Sequence, residues 1–265
     1  MSSIALRLAA VQDRITQAAL ASGRDPKSVR LIAVSKLMPS EALREAYAAG
    51  QRDFGENYVQ ELAQKAKDLL DLPDLRLHLI GHLQTNKVKV VANAVSMIQS
   101  VDSVRLVEEL GKRVPVPAVS PEKAFVLGLH DEQTAPSVTA PSGAQTALSL
   151  DRRLPLLVEV NVGGEAQKSG CNPAEVPAIV DAIERYAQLR VAGLMTVPPF
   201  SEDPKAARPH FDRLRALRDE LGGPSRLPEL SMGMTLDLEE AVAAGATIVR
   251  VGTAIFGSRP PREAK

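Results

Sequence analysis

The stretch LIAVSK, Leu31 to Lys36, sets four apolar residues and a serine ahead of a lysine. A short apolar run carrying Ile32 and Val34 reads as a buried strand, and the lysine marks where that strand leaves the core. Seven further runs have the same character: RDFGENY, LRLHLIGHLQ, VSMIQSVDS, LPLLVEVNV, LRVAGLMTV, ELSMGM and TIVRVGTAIF. Helical patterns lie between them, in SEALREAYAAG, YVQELAQKAKDLLD, TNKVKVVANA, SVRLVEELGKR, PAEVPAIVDAIERYA, residues 203–221 and LDLEEAVAAG. Eight strands alternating with helices predict an α/β fold, a (β/α)8 TIM-type barrel. Ile4, Leu8, Val11 and Ile15 recur at helical spacing and add an N-terminal helix. A doubly wound sheet is the competing fold, but no Gly-rich dinucleotide fingerprint follows the first strand.

The 265 residues are 45% hydrophobic, enough for one large core, so a single domain over 1–265 is expected. Lys plus Arg and Asp plus Glu balance at 32 each, which removes any bulk field for nucleic acid or an anionic membrane. A small molecule or a protein is the expected partner. The lone Cys171 excludes an intramolecular disulfide framework and a cysteine-rich zinc module, and fits a reducing compartment. Arg7 interrupts the first apolar run, so no signal peptide is read there, and no run reaches the roughly 18 apolar residues of a membrane span. A cytoplasmic location is the expectation.

From Val114 to Arg153 the chain is rich in Pro, Ser, Thr and Ala and far exceeds an ordinary connection. It reads as a flexible insertion between the fourth helix and the fifth strand, emerging at the N-terminal face of the barrel. A tolerated surface insertion is the simpler reading, with a partner-binding element as the alternative.

Strand C-terminal ends surround the catalytic mouth of such a barrel. Here they carry Lys36, Asn57, His82 with Gln84, Ser100 with Asp102, Asn161, Met195 with Thr196, Ser231 with Gly233, and Arg250 with Gly252 and Thr253. A partly desolvated lysine has its pKa lowered and becomes a nucleophile towards carbonyls, although a rim salt bridge is the plainer role for Lys36. In SMGMTLDLEE and RVGTAIFG, Gly233 and Gly252 permit close backbone approach, while Ser231, Thr235 and Thr253 supply hydroxyls suited to an anion. Asp237 with Glu240 reads as a helix N-cap pair. An amine opposite an anion cradle suits a ligand with both a carbonyl and a phosphate: pyridoxal 5'-phosphate, or a sugar phosphate in a Schiff-base aldolase. Arg250 is either a structural salt-bridge partner or a cation that keeps a pyridine nitrogen unprotonated.

The motifs AVSK (33–36), FGENYVQEL (54–62), HLIGHLQTNK (78–87), KSG (168–170), GLMTVPP (193–199), SMGM with Asp237, and RVGTAIFG (250–257) follow in order. Through them the chain resembles the pyridoxal phosphate homeostasis protein family, single-barrel relatives of the alanine racemase N-terminal domain. The resemblance implies that Lys36 carries an internal aldimine, that Ser231, Gly252 and Thr253 contact the phosphate, and that Arg250 lies beside the ring. Asn57, His82 and Met195 match family positions near the cofactor. Thr235 stands where a serine is usual, and the insertion before the fifth strand is unusual.

The implied function is intracellular buffering of pyridoxal phosphate, with delivery to apoenzymes; a monomer is compatible with this. Racemisation needs acid/base groups on both faces of the ligand, and in racemases one comes from a second domain. The chain ends at Lys265 soon after the eighth strand, with only Tyr58 and His82 as candidate opposing bases, so binding without turnover is expected. A weak amino acid racemase is the alternative and a Schiff-base aldolase a third. No metal is expected: on a strand His78 and His82 would lie about 13 Å apart. Cys171 is read as an incidental thiol, and RPHFDRLRALRDE as a solvated helix face.

Overall fold

The computed structural model describes residues 3–116, 152–165 and 167–257. Eight parallel strands close into a barrel in chain order: β1 Arg30–Val34, β2 Asp53–Glu56, β3 Arg76–Leu79, β4 Met97–Val101, β5 Leu154–Glu159, β6 Leu189–Met195, β7 Glu229–Ser231 and β8 Ile248–Val251. Closure comes from β1 against β8, where Ile32 faces Arg250 and Ala33 faces Val251. Helices cover the outside, including Ser40–Ala48, Val59–Asp68, Val104–Arg113, Val176–Glu184 and Arg208–Glu220. Thus the expected (β/α)8 architecture is present. Most of segment 114–153, including AFVLGL, lies outside the described residues; its described flanks run from the end of helix Val104–Arg113 and into the start of β5.

Side chains alternate along each strand, so one set fills the barrel and the other meets the helices. Ile32, Met97, Leu157, Ala192, Met195 and Ile248 form the apolar filling inside. Towards the strand starts lies a charged group in which Asp53 accepts hydrogen bonds from Arg76 at 2.7 and 2.8 Å and pairs with His78 at 2.9 Å. Burial opposes the Asp53 charge, yet its bonds to Arg76 and His78 outweigh it and hold this carboxyl below the usual range. The larger core lies between the outer strand faces and the helices.

The N-terminal helix Ser3–Ala21 buries Ile4, Leu8, Val11 and Ile15, the spacing read from the sequence. It packs against Leu238–Ala243 and Thr253–Phe256, the helical segments flanking β8. Helix Arg208–Glu220 presents most of its charges outward, as expected, and buries Phe211, Leu214 and, among the charges, Arg218.

Two sequence expectations are revised. TIVRVGTAIF is not one strand: β8 stops at Val251, and Thr253–Phe256 is a helical turn in which Ile255 and Phe256 donate to Gly252 O. Asp237 precedes helix Leu238–Ala243 without a side-chain capping bond; its Oδ1 accepts from Met234 N at 2.6 Å, and Glu240 meets Arg208.

The barrel has an irregularity where β6 skips a residue against β5, pairing Leu156 with Val191 and Leu157 with Gly193. Such a bulge breaks the strict alternation. Both Ala192 and Met195 consequently join the interior set. Gly193 has φ 152°, and a Cβ there would lie 1.9 Å from Glu229 O. Gly193→Ala is therefore expected to destabilise the fold by more than about 2 kcal/mol, read as a lower urea midpoint. An unchanged midpoint would contradict the close β6–β7 approach.

Candidate functional site

The C-terminal ends of the strands enclose a cavity of about 260 Å³. Lys36 and Met38 line it after β1, Asn57 after β2, Ile80 after β3 and Val197 after β6. Val34 of β1 and Arg250 of β8 reach it from the strands, and Met234, Thr235, Gly252, Thr253, Phe256 and Gly257 complete it. The sites expected at Lys36, Asn57, Arg250, Gly252 and Thr253 are thus brought together around one space. Lys36 follows Arg30, Ile32 and Val34 on the inward alternation of β1, and is partly buried.

Other expected residues lie nearby in different settings. Ser231 is fully buried inside the barrel: its Oγ donates to Gln99 Oε1 at 2.6 Å and accepts from Arg250 Nη1 at 2.6 Å. Gly233 is buried with φ 90° and lets helix Leu238–Ala243 come close, since a Cβ there would sit 2.3 Å from Ala241 Cβ. Met195 belongs to the apolar interior. His82 stands exposed at the mouth, with Nδ1 3.3 Å from Asp102 Oδ2. His78 points into the barrel towards Asp53, so the two histidines serve different places, and no group of three or more metal-ligating side chains occurs among the described residues.

Arg250 is the fixed charge of the site. It is buried, and Nη2 donates to Thr196 O at 2.8 Å while Nη1 holds Ser231. Burial pushes its pKa down to about 10, with Glu159 and Asp237 opposing that shift, so the guanidinium stays cationic at neutral pH. The loop carrying Thr235 is fixed from two sides, by Asp237 on Met234 N and by Arg14 Nη2 donating to Thr235 O at 2.9 Å. Arg7 Nε likewise donates to Ile255 O at 2.6 Å. The N-terminal helix therefore anchors both segments opposite Lys36.

The arrangement suits a ligand with an aldehyde, an aromatic ring and a phosphate. An amine lines one part of the wall, hydroxyls and backbone at Thr235, Gly252 and Thr253 line another, and Val34, Met38, Ile80 and Val197 supply apolar surface. Asn57 Oδ1 is buried without a hydrogen-bond partner among the described residues, leaving an acceptor for a polar group of a ligand.

Two further charged groups escaped the sequence reading. Lys65, Glu56 and Glu61 cluster behind the Lys36 turn. Glu159, at the end of β5, is buried, and its carboxyl is pushed up to about 7 by burial, against the pull of Arg250 and with a smaller push from Asp102. Cys171, bridged to Val160 beside it, is buried and has its thiol pushed up to about 12, mainly by burial, in keeping with an inert thiol.

The Glu159 environment has a pH consequence. Its folded-state pKa lies above the unfolded value, so the stability it adds is present at acid pH and is lost as pH rises through about 7. Glu159→Gln should change stability little at pH 5 and stabilise the cofactor-free protein at pH 8 to 9, by on the order of 1–3 kcal/mol in urea unfolding. Equal destabilisation at both pH values would show that the carboxylate is held charged.

The sequence profile described as "Alanine racemase, N-terminal domain" matches residues 6–260. A pyridoxal phosphate homeostasis protein from Pseudomonas aeruginosa is 41% identical over 259 residues, covering 98% of this chain and 97% of that protein. The human protein of the same name is 38% identical over 266 residues, covering 95% and 85%. Among solved structures, PipY of Synechococcus elongatus with pyridoxal phosphate bound shares 38% identity at a TM-score of 0.70, over 96% of this chain and 100% of that one. Alanine racemase from Corynebacterium glutamicum, at 13% identity and a TM-score of 0.58 over 97% of this chain and 63% of that one, shares the fold.

Proposed function

The chain belongs to the pyridoxal phosphate homeostasis protein family, and we propose that it holds pyridoxal 5'-phosphate on Lys36 in the barrel mouth and releases it to apoenzymes that require it. The observation that carries this reading is the placement of Lys36, Thr235, Arg250 and Gly252 around one cavity. When bound, the cofactor supplies an aldehyde that condenses reversibly with a primary amine, releasing one water.

Lys36 supplies that amine from a partly buried turn. Thr235, Gly252 and Thr253 hold the phosphate; Ser231 acts one step removed, by fixing Arg250. Arg250 brings a permanent cation to the cavity and so disfavours a second positive charge on a ring nitrogen beside it. That weakens electron withdrawal and favours storage over turnover. Asn57 offers its acceptor to a polar group of the cofactor. The PipY structure with pyridoxal phosphate, at 38% identity, supports the same ligand here.

The whole chain is taken to serve as one cofactor-binding barrel. The cytoplasm, where recipient apoenzymes are made, is the proposed place of action; no described helix is long and apolar enough to cross a membrane.

A second reading, a weak amino acid racemase, draws on the His82–Asp102 pair, the one histidine–carboxylate pair described at the mouth. It requires His82 to move a proton that Lys36 does not.

Lys36→Ala should abolish the covalent visible absorbance yet retain pyridoxal phosphate about 10- to 100-fold more weakly in equilibrium dialysis, because the phosphate contacts remain. Covalent absorbance equal to wild type would reject Lys36 as the anchor. With wild-type protein saturated with pyridoxal phosphate, L-alanine should yield no D-alanine; sustained formation that His82→Ala removes would favour the racemase.

A further inference from the structure

Lys36 sits in a tight turn whose backbone is held from behind. Ser35 O accepts from Met38 N at 3.0 Å, so Lys36 is the second and Leu37 the third residue of a four-residue turn. Leu37 has φ 63°, a left-handed conformation that Gly or Asn ordinarily supplies at this position and that a branched apolar residue disfavours. A residue stays in such a conformation only where its surroundings over-determine it.

The surroundings are a buried ion cluster. On the outward alternation, Ser35 of the turn and Glu56 of β2 stand side by side, and Ser35 Oγ donates to Glu56 Oε1 at 2.6 Å. Lys65, from helix Val59–Asp68, places Nζ 2.7 Å from each of three acceptors: Ser35 O, Glu56 Oε1 and Glu61 Oε1. Glu61 Oε1 also accepts the Leu37 N–H at 2.6 Å. The Lys65 side chain is 5% exposed and that of Glu56 0%, so neither is an ordinary surface charge. One ammonium thus fixes the carbonyl before Lys36 directly and the amide after it through Glu61. Burying these charges is costly unless they are paired. Lys65 pairs with both carboxylates on the outer side of the strand that presents Lys36, while Glu56 Oε2 is buried without a hydrogen-bond partner among the described residues.

We propose that Lys65 is a positioning residue: with Glu56 and Glu61 it locks the Ser35–Met38 turn in the left-handed form that directs the Lys36 side chain into the cavity. The inference rests on the reading of Lys36 as the anchoring amine, and extends it to a residue that lies outside the barrel.

The test compares wild type, Glu61→Ala, Glu61→Gln and Lys65→Met, each with and without Leu37→Gly. Two readouts are taken: amide exchange of the Leu37 peptide in cofactor-free protein, and the rate at which added pyridoxal phosphate becomes borohydride-trapped on Lys36. Folding is checked by circular dichroism. Glu61→Ala and Lys65→Met should lose Leu37 protection and slow trapping about tenfold or more, whereas Glu61→Gln keeps an acceptor and stays closer to wild type. Leu37→Gly should restore most of the trapping rate, because glycine adopts the left-handed turn without the cluster. Wild-type trapping in folded Glu61→Ala, or no rescue by Leu37→Gly, would overturn the proposal. Should Lys65→Met fail to fold, the Glu61 pair decides. If wild type itself traps nothing at saturating cofactor, the carrier reading fails, while the Leu37 exchange comparison still decides whether the cluster holds the turn.

Discussion

Pairing of β1 with β8 is the constraint on which the site depends. It joins the first strand to the last, sets Ile32 opposite Arg250 and Ala33 opposite Val251, and closes the sheet. Once the register is set, the period of two leaves no freedom: Ile32, Val34 and Lys36 face inward and Ser35 faces out. The same pairing brings Gly252 next to β1, where a Cβ would lie 3.1 Å from Val34 O. An amine from the first strand and the Gly252–Thr253 turn after the last therefore share one mouth, and the N-terminal helix holds the far side through Arg7 and Arg14.

The polar groups inside the barrel follow from what must be held there. Arg250 could not remain charged in an apolar interior without partners, and Ser231, Thr196 O and the nearby carboxyls of Glu159 and Asp237 supply them. Ser231 is in turn fixed by Gln99 from the opposite part of the barrel. Removing any one member leaves a buried polar group unmatched, so this layer contributes rigidity as well as charge.

The architecture was largely legible in the sequence because most strands are short apolar runs bounded by polar residues, DFGE of β2 being an exception, and the longer helices show the 3.6-residue spacing. Strand ends were less so: TAIF after Gly252 is apolar over only four residues, too few to separate a strand from a helical turn. Lys36 and Arg250 stand at strand ends in the sequence, and both line the cavity. The site was not legible where burial decides the role. Ser231 and Thr235 are both hydroxyls in SMGMTLDLEE, but only the second lines the cavity, since the chain has left β7 by then. Asp237 has the spacing of a cap yet its carboxyl turns back to Met234 N. Lys65 resembles any charge on a polar helix until the fold places it over Ser35 and Glu56. Glu159 gives no sign in the sequence that burial will raise its pKa.

The proposed carrier role asks the lysine in this constrained turn to hold an aldehyde reversibly. The most direct test is to saturate the protein with pyridoxal phosphate, reduce with borohydride, and map the pyridoxyl group by peptide mass spectrometry. The account predicts one modified position, Lys36. Modification spread over surface lysines, or none at all, would contradict it.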